Sequence, residues 1–245
     1  MDSSYAGAAK VCPPGVLIDF RISLFFNFDF DLFDHSLGYD RVFVLLGPHE
    51  GYGRSWDETL RLVQAACQAA GSNVHFCNRS TFEIGDIRIL ATTLWTDIDL
   101  ALRYECSRLC YDFHLISIYN YETQKERKLT PADTTRWHQL EQQWLRDELR
   151  KEPHRPTVIL THHAPSLVCL EPDVFPTESS AQLSCSKLDD LFQDPVICWA
   201  YGCTHFPFDC KAGTTRLVSN PAGYPHSQFP APYQRSYRPD LVLNI

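Results

Sequence analysis

"VFVLLGPHEGYG", residues 42–53, decides how the chain is read. The run Val42–Leu46 is short, apolar and rich in β-branched and aromatic side chains, the signature of a buried strand. It breaks directly into Gly47, Pro48, His49 and Glu50. That break is a loop at the C-terminal end of a strand, where open α/β sheets keep their chemistry.

The same pattern returns twice. "PTVILT" (156–161) is a buried strand that ends at His162–His163, and "VICWAYG" (196–202) is another that ends at Cys203–Thr204–His205. One histidine after a strand is ordinarily a satisfied loop or core residue. Three strands ending the same way point to a site, because a parallel or mixed sheet gathers such loops along one edge.

The remaining elements suit an α/β domain. "SWDETLRLVQAACQAAG" (55–71) predicts a helix: Ser55 and Glu58 have capping-box spacing, and Gly71 is a stop signal. Leu60, Val63, Cys67 and Ala70 lie on its apolar face. Short strands are expected at 74–77, 81–84 and 87–93, with Gly85–Asp86 as a hairpin turn between the last two. "TPADTTRWHQLEQQWLRDELRK" (130–151) is the clearest helix. Thr130 caps it, Pro131 takes the first helical position, and Trp137, Leu140, Trp144, Leu145 and Leu149 form its stripe. "TTRLVSN" (214–220) is a strand that runs into the turn "NPAGY", and "DLVLNI" closes the chain. Residues 16–33, "VLIDFRISLFFNFDFDLF", alternate aromatic and acidic side chains from Phe28 to Asp31, which suits a half-buried strand. There is no internal repeat.

Composition narrows the function. The 245 residues carry 44% hydrophobic and 21% charged side chains, enough for one sizeable core. A net charge of −8 with no basic run argues against a nucleic-acid surface. No stretch of about 18 uninterrupted apolar residues predicts a membrane span. The ten cysteines include no CxxC pair, and the start "MDSSYAGAAKVCPPG" lacks a basic and apolar leader pattern. The thiols are therefore expected to be reduced, mostly buried small hydrophobes, and the location cytoplasmic.

"GPHE", "THHAP" and "GCTH" resemble, in order, the GNHE, THHAP and GHTH motifs of the calcineurin-like metallophosphoesterases. "ILATTLWTDI", "LTPADTTRWHQLEQQWL" and "SNPAGYP" resemble further segments of that family, so the likeness spans residues 41–245 and leaves 1–40 as a divergent N-terminal segment. The resemblance implies an α/β fold, a β-sandwich flanked by helices, here short of the family's N-terminal part. It also implies two divalent cations about 3.5–4 Å apart that bind a phosphate ester and activate water. Carried over, His49 is the group that protonates the leaving oxygen or holds the phosphate, and Glu50 fixes its loop. His162 and His205 are metal ligands, and His163 lies close behind them. Cys203 occupies a ligand position as either a soft thiolate ligand or an uncharged buried thiol.

The match also breaks at defined places. Pro48 stands where the family has its ligand Asn, and no DxH or GDxxxD precedes residue 41 in the required order. Asp112–Phe113–His114 spells DxH and Gly85–Asp86–Ile87 spells GDI, but both fall in the wrong part of the chain. Asp29, Asp31, Asp34 and His35 are the upstream groups left to substitute, and proximity alone recommends them. Two readings follow. One is a weakened metal-dependent phosphoesterase for small mono- or diesters, with a divalent cation of the manganese, zinc or iron type at partial occupancy or lost. The other is a catalytically silent relative that binds or scaffolds. The expected partner is a small phosphorylated substrate, with neither nucleic acid nor membrane, and the oligomeric state is open.

Overall fold

The computed structural model describes residues 39–171, 173–221, 238 and 241–243. The strand expected over 16–33 and the turn beyond Pro221 lie outside these residues.

The first strand, β1 (Val42–Leu45), pairs in parallel with β2 (Val74–Cys77) through the crossover helix α1 (Trp56–Ala70). β3 (Ser80–Ile84) and β4 (Ile87–Thr92) form the expected antiparallel hairpin. Gly85 takes φ 57° at its turn, a conformation that a side chain would resist. Then come the short helices α2 (Arg103–Leu109) and α3 (Asp112–Leu115) and a small hairpin of β5 (Ser117–Asn120) and β6 (Lys125–Lys128). The long helix α4 (Pro131–Lys151) follows, with the Thr130 capping box and Pro131 at its first turn. β7 (Thr157–Thr161), α5 (Glu178–Gln182), β8 (Val196–Tyr201), β9 (Phe208–Ala212) and β10 (Thr215–Ser219) complete the order.

Six strands form the main sheet in the order β3-β4-β7-β8-β10-β9. Its central run β4-β7-β8-β10 is parallel, and the two edge strands are antiparallel. Alternation along the strands splits its side chains between two cores. Leu90, Ile159, Trp199 and Leu217 pack with Leu145 and Leu149 of α4. Ile89, Ala91, Val158, Leu160, Cys198 and Val218 pack with Phe43 and Leu45 of β1. The opposite face of the β1–β2 pair, with Val42, Val44 and Val74, is covered by Val63, Cys67 and Ala70 of α1. The layers therefore run helix, sheet, sheet, helix: a mixed α/β sandwich with flanking helices, as the sequence predicts.

Three details differ from expectation. β9 is an edge strand whose apolar Phe208, Cys210 and Ala212 alternate with Asp209 and Lys211, a pattern too short to have been singled out. The cap of α1 is half of a capping box: Ser55 accepts from the Glu58 backbone N–H, with no return bond described. On α4 the buried face is rotated. Leu140 is exposed, whereas His138 and Glu141 are buried beside Leu145 and Leu149. The helix turns two polar groups inward because they bind the backbone of the turn after β4, as described below.

No helix among the described residues is long and apolar enough to cross a membrane. The nine described cysteines are free thiols.

Candidate active site

The loops after β1, β7 and β8 meet at one end of the sandwich. Gly47 lies directly against the imidazole of His162: a methyl group on Gly47 would stand 2.0 Å from His162 Cε1. The rings of His49 and His205 approach edge-on with centroids 6.4 Å apart. His162 and His163 are edge-on at 4.8 Å. Of the residues nominated from sequence, His49, His162, His163 and His205 thus form one group.

The backbone explains why they meet. The carbonyl of Thr93 accepts from both His162 N–H and His163 N–H, each at 3.1 Å. The carbonyl of His162 in turn accepts from Gly202 N–H at 3.1 Å and Cys203 N–H at 2.9 Å. The β7 loop is pinned between the end of β4 and the end of β8, its two neighbours in the sheet. His205 itself takes φ 55°, in the left-handed region that side chains rarely occupy. Such outliers persist only where surrounding bonds over-determine them.

Electrostatics follow from burial and crowding. Burial lowers the His49 pKa, and the nearby Asp112 carboxylate partly opposes it. Burial drops His162 well below the ordinary histidine range, helped by His163, His49 and His205. Burial also brings His163 and His205 down to about 4, with the neighbouring imidazoles adding to it. At neutral pH the four rings are uncharged, so each offers one acceptor and one donor nitrogen.

Glu50 holds the first loop together. Its carboxylate oxygen accepts from Gly47 N–H at 2.9 Å, closing a tight turn over Pro48–Gly51. Burial raises its pKa to about 7 against the pull of that backbone donor. This is a structural use of Glu50 beside His49.

Cys203 lies at the end of β8, but its sulfur donates to the carbonyl of Ser184 at 3.0 Å. Burial pushes its thiol pKa far up. It is an uncharged thiol, engaged with backbone. Pro48 has no donor atom, and the described residues contain no group of three His, Cys, Asp or Glu side chains able to hold a metal ion. The donor set among the described residues therefore does not fit a two-cation centre. Among the described residues His162 and His205 are the nominated ligands left, with no carboxylate grouped with them; Asp29, Asp31, Asp34 and His35 lie outside the described residues.

Two residues near His49 were not nominated from sequence. The Tyr52 ring lies 4.9 Å from that of His49, and its hydroxyl donates to Asp112 Oδ1 at 2.6 Å. Asp112 opens α3, so its DxH spelling falls in a helix whose first carboxylate faces Tyr52 and His49. Glu141 is the other omission. It stands four residues from both Trp137 and Leu145, so helical spacing already put its carboxylate on the core face.

No family model matches the chain. An uncharacterised protein of Acanthamoeba polyphaga mimivirus is 27% identical over 202 residues, covering 78% of this chain and 70% of that one. Among solved structures, the phosphopantetheinyl hydrolase of Mycobacterium tuberculosis superposes with a TM-score of 0.57 at 14% identity, over 82% of this chain and 77% of that one. A putative 5'-nucleotidase from Staphylococcus aureus gives a TM-score of 0.38 at 15% identity, over 73% of this chain and 32% of that one. The likeness to the phosphopantetheinyl hydrolase structure is one of fold: the two chains share a mixed α/β sandwich flanked by helices.

Proposed function

We propose that the protein is a phosphoesterase-type hydrolase of small phosphate mono- or diesters, working slowly because its metal ligation is depleted. One observation carries the reading: His49, His162 and His205, from three separate strand ends, converge as neutral imidazoles at the edge of a phosphoesterase-type sandwich. A phosphate ester brought to that cluster supplies negative charge beside four neutral imidazoles. Its charge favours the protonated form of His49, which donates to the leaving oxygen as the ester P–O bond breaks, while a water forms the new P–O bond and releases its proton to solvent. General acid catalysis of this kind gives about 10²–10⁴-fold. Glu50 keeps the donor loop closed, and Tyr52 packs against the ring of His49. No step is assigned to a cation, because the described residues do not fit the pair.

A second reading has its own support. The Pro48 position and the Cys203–Ser184 bond remove two ligand positions, which favours a protein that binds phosphate esters without turning them over. An assay on generic mono- and diesters separates the two. It is run alone and with manganese, zinc or magnesium, beside His49→Ala and His205→Ala. Turnover well under about 10 s⁻¹ that falls in both variants supports the hydrolase. Binding without turnover supports the second reading. Turnover that ignores both substitutions overturns the proposal.

A further inference from the structure

We propose that Glu141, assisted by His138 on the same face of α4, is a positioning residue that sets where His162 and His163 stand. The inference rests on the histidine cluster being the working site, as proposed above.

The connection runs through one turn. Glu141 is 5% exposed, and its two carboxylate oxygens are divided between two partners. One accepts from the Thr92 hydroxyl at 2.7 Å, the other from the Trp95 backbone N–H at 2.7 Å. Between those partners lie Thr93 and Leu94. Leu94 is at φ 53°, an uncommon conformation for a bulky side chain. Thr93 presents the carbonyl that accepts from His162 N–H and His163 N–H. The carboxylate thus staples both ends of the turn whose middle carbonyl holds the two histidines.

His138 closes the arrangement from the other side. Its Nδ1 lies 2.6 Å from the Trp95 carbonyl and 3.3 Å from the Ser186 hydroxyl. A carbonyl only accepts, so Nδ1 carries the proton. Ser186 N–H donates to the Ala164 carbonyl, and Ala164 N–H donates to the Ser184 carbonyl. The segment His162–Ala164 is therefore held at Thr93 and at residues 184–186, and α4 binds both holders. Trp95 also packs its ring 5.8 Å from that of His163.

Packing alone does not account for this. A leucine at 141 would fill the core without the cost of burying a carboxylate. The polar choice fixes a strained turn that an apolar side chain would leave free.

The test compares Glu141→Leu with Glu141→Gln in the full chain. The readouts are the backbone amide signals of His162 and His163 by NMR and the dissociation constant for phenyl phosphate. Glutamine keeps an acceptor for Trp95 N–H and a donor for the Thr92 oxygen. Glu141→Leu is expected to move both amide signals and weaken binding about tenfold or more, whereas Glu141→Gln stays within about twofold. If the leucine variant does not fold, Thr92→Val removes one staple and is expected to move the same signals by less. Unmoved His162 and His163 signals in a folded Glu141→Leu or Thr92→Val protein would overturn the inference. Wild-type protein that fails to bind phenyl phosphate counts against the phosphate-ester reading alone, since the amide signals still report on position.

Discussion

Gly47 offers the sharpest perturbation. Its backbone, φ −109° and ψ −179°, is ordinary extended chain that alanine adopts without strain. The reason for a glycine there is therefore steric. A Cβ would meet the His162 ring at 2.0, 2.4 and 2.5 Å from three of its atoms. Carbon atoms prefer about 3.5–4.0 Å, so the ring has to retreat about 1.5–2 Å. That retreat breaks the packing of the β1 loop on the β7 loop. Overpacking of this kind costs about 1–3 kcal/mol. The cost belongs to the pair, so a double-mutant cycle isolates it. In a His162→Ala background the obstacle is gone, and Gly47→Ala is expected to stabilise by about 0.4–1 kcal/mol through the unfolded chain. The sign of one substitution thus reverses with the identity of a residue 115 positions away. Urea unfolding of the four proteins measures the coupling, and NMR of the His162 ring measures the displacement. Equal stabilisation by Gly47→Ala in both backgrounds, with the ring signals unmoved, would refute the reasoning.

Two further predictions concern α4. Arg88 is 2% exposed and gives its guanidinium to the Glu148 and Glu152 carbonyls at the helix end and to the Thr157 hydroxyl. Arg88→Met leaves those acceptors short of a charged donor and is expected to cost about 2–4 kcal/mol, lowering the melting temperature by about 2–4 °C per kcal/mol in calorimetry. Burial raises Glu141 from 4.5 to about 7, so its protonated form is favoured by folding. That contribution is fully present below about pH 4.5 and is lost as pH rises through about 7. At about 1.4 kcal/mol per pH unit it amounts to roughly 3 kcal/mol. The wild type is thus expected to lose stability relative to Glu141→Gln between pH 5 and 8 in urea titrations; a constant difference across that range would contradict the assignment.

Much of this was legible beforehand. Apolar runs over 42–46, 156–161 and 196–201 announced the three strands, and the histidines at their ends announced the meeting point. The caps at Ser55, Thr130 and Pro131 marked where both long helices begin. Other features were hidden because they depend on spatial partners. The stripe drawn on α4 by hydrophobicity included Leu140 and passed over Glu141, because scoring by side-chain polarity cannot see a backbone turn waiting to be capped. Cys203 was readable as either ligand or thiol, and its contact with the Ser184 carbonyl, nineteen residues upstream, is a partner that no local pattern could name. Tyr52 and Asp112 are sixty residues apart, and only the docking of α3 on the first loop joins them.

The parallel core has a bearing on how the molecule comes into being. β4 pairs with β7 across more than sixty residues, and β10 lies between β8 and β9, so the chain passes β10's place in the sheet before returning to fill it. Long-range pairings of this kind make folding slow, since loop closure must precede the contacts that reward it. The four imidazoles come from loops that have no reason to meet until the sheet is in register. Until that register is reached the four side chains stand on three separate loops. The cluster is thus expected to assemble late, and the chemical shifts of its rings would time the moment at which the two sheets close.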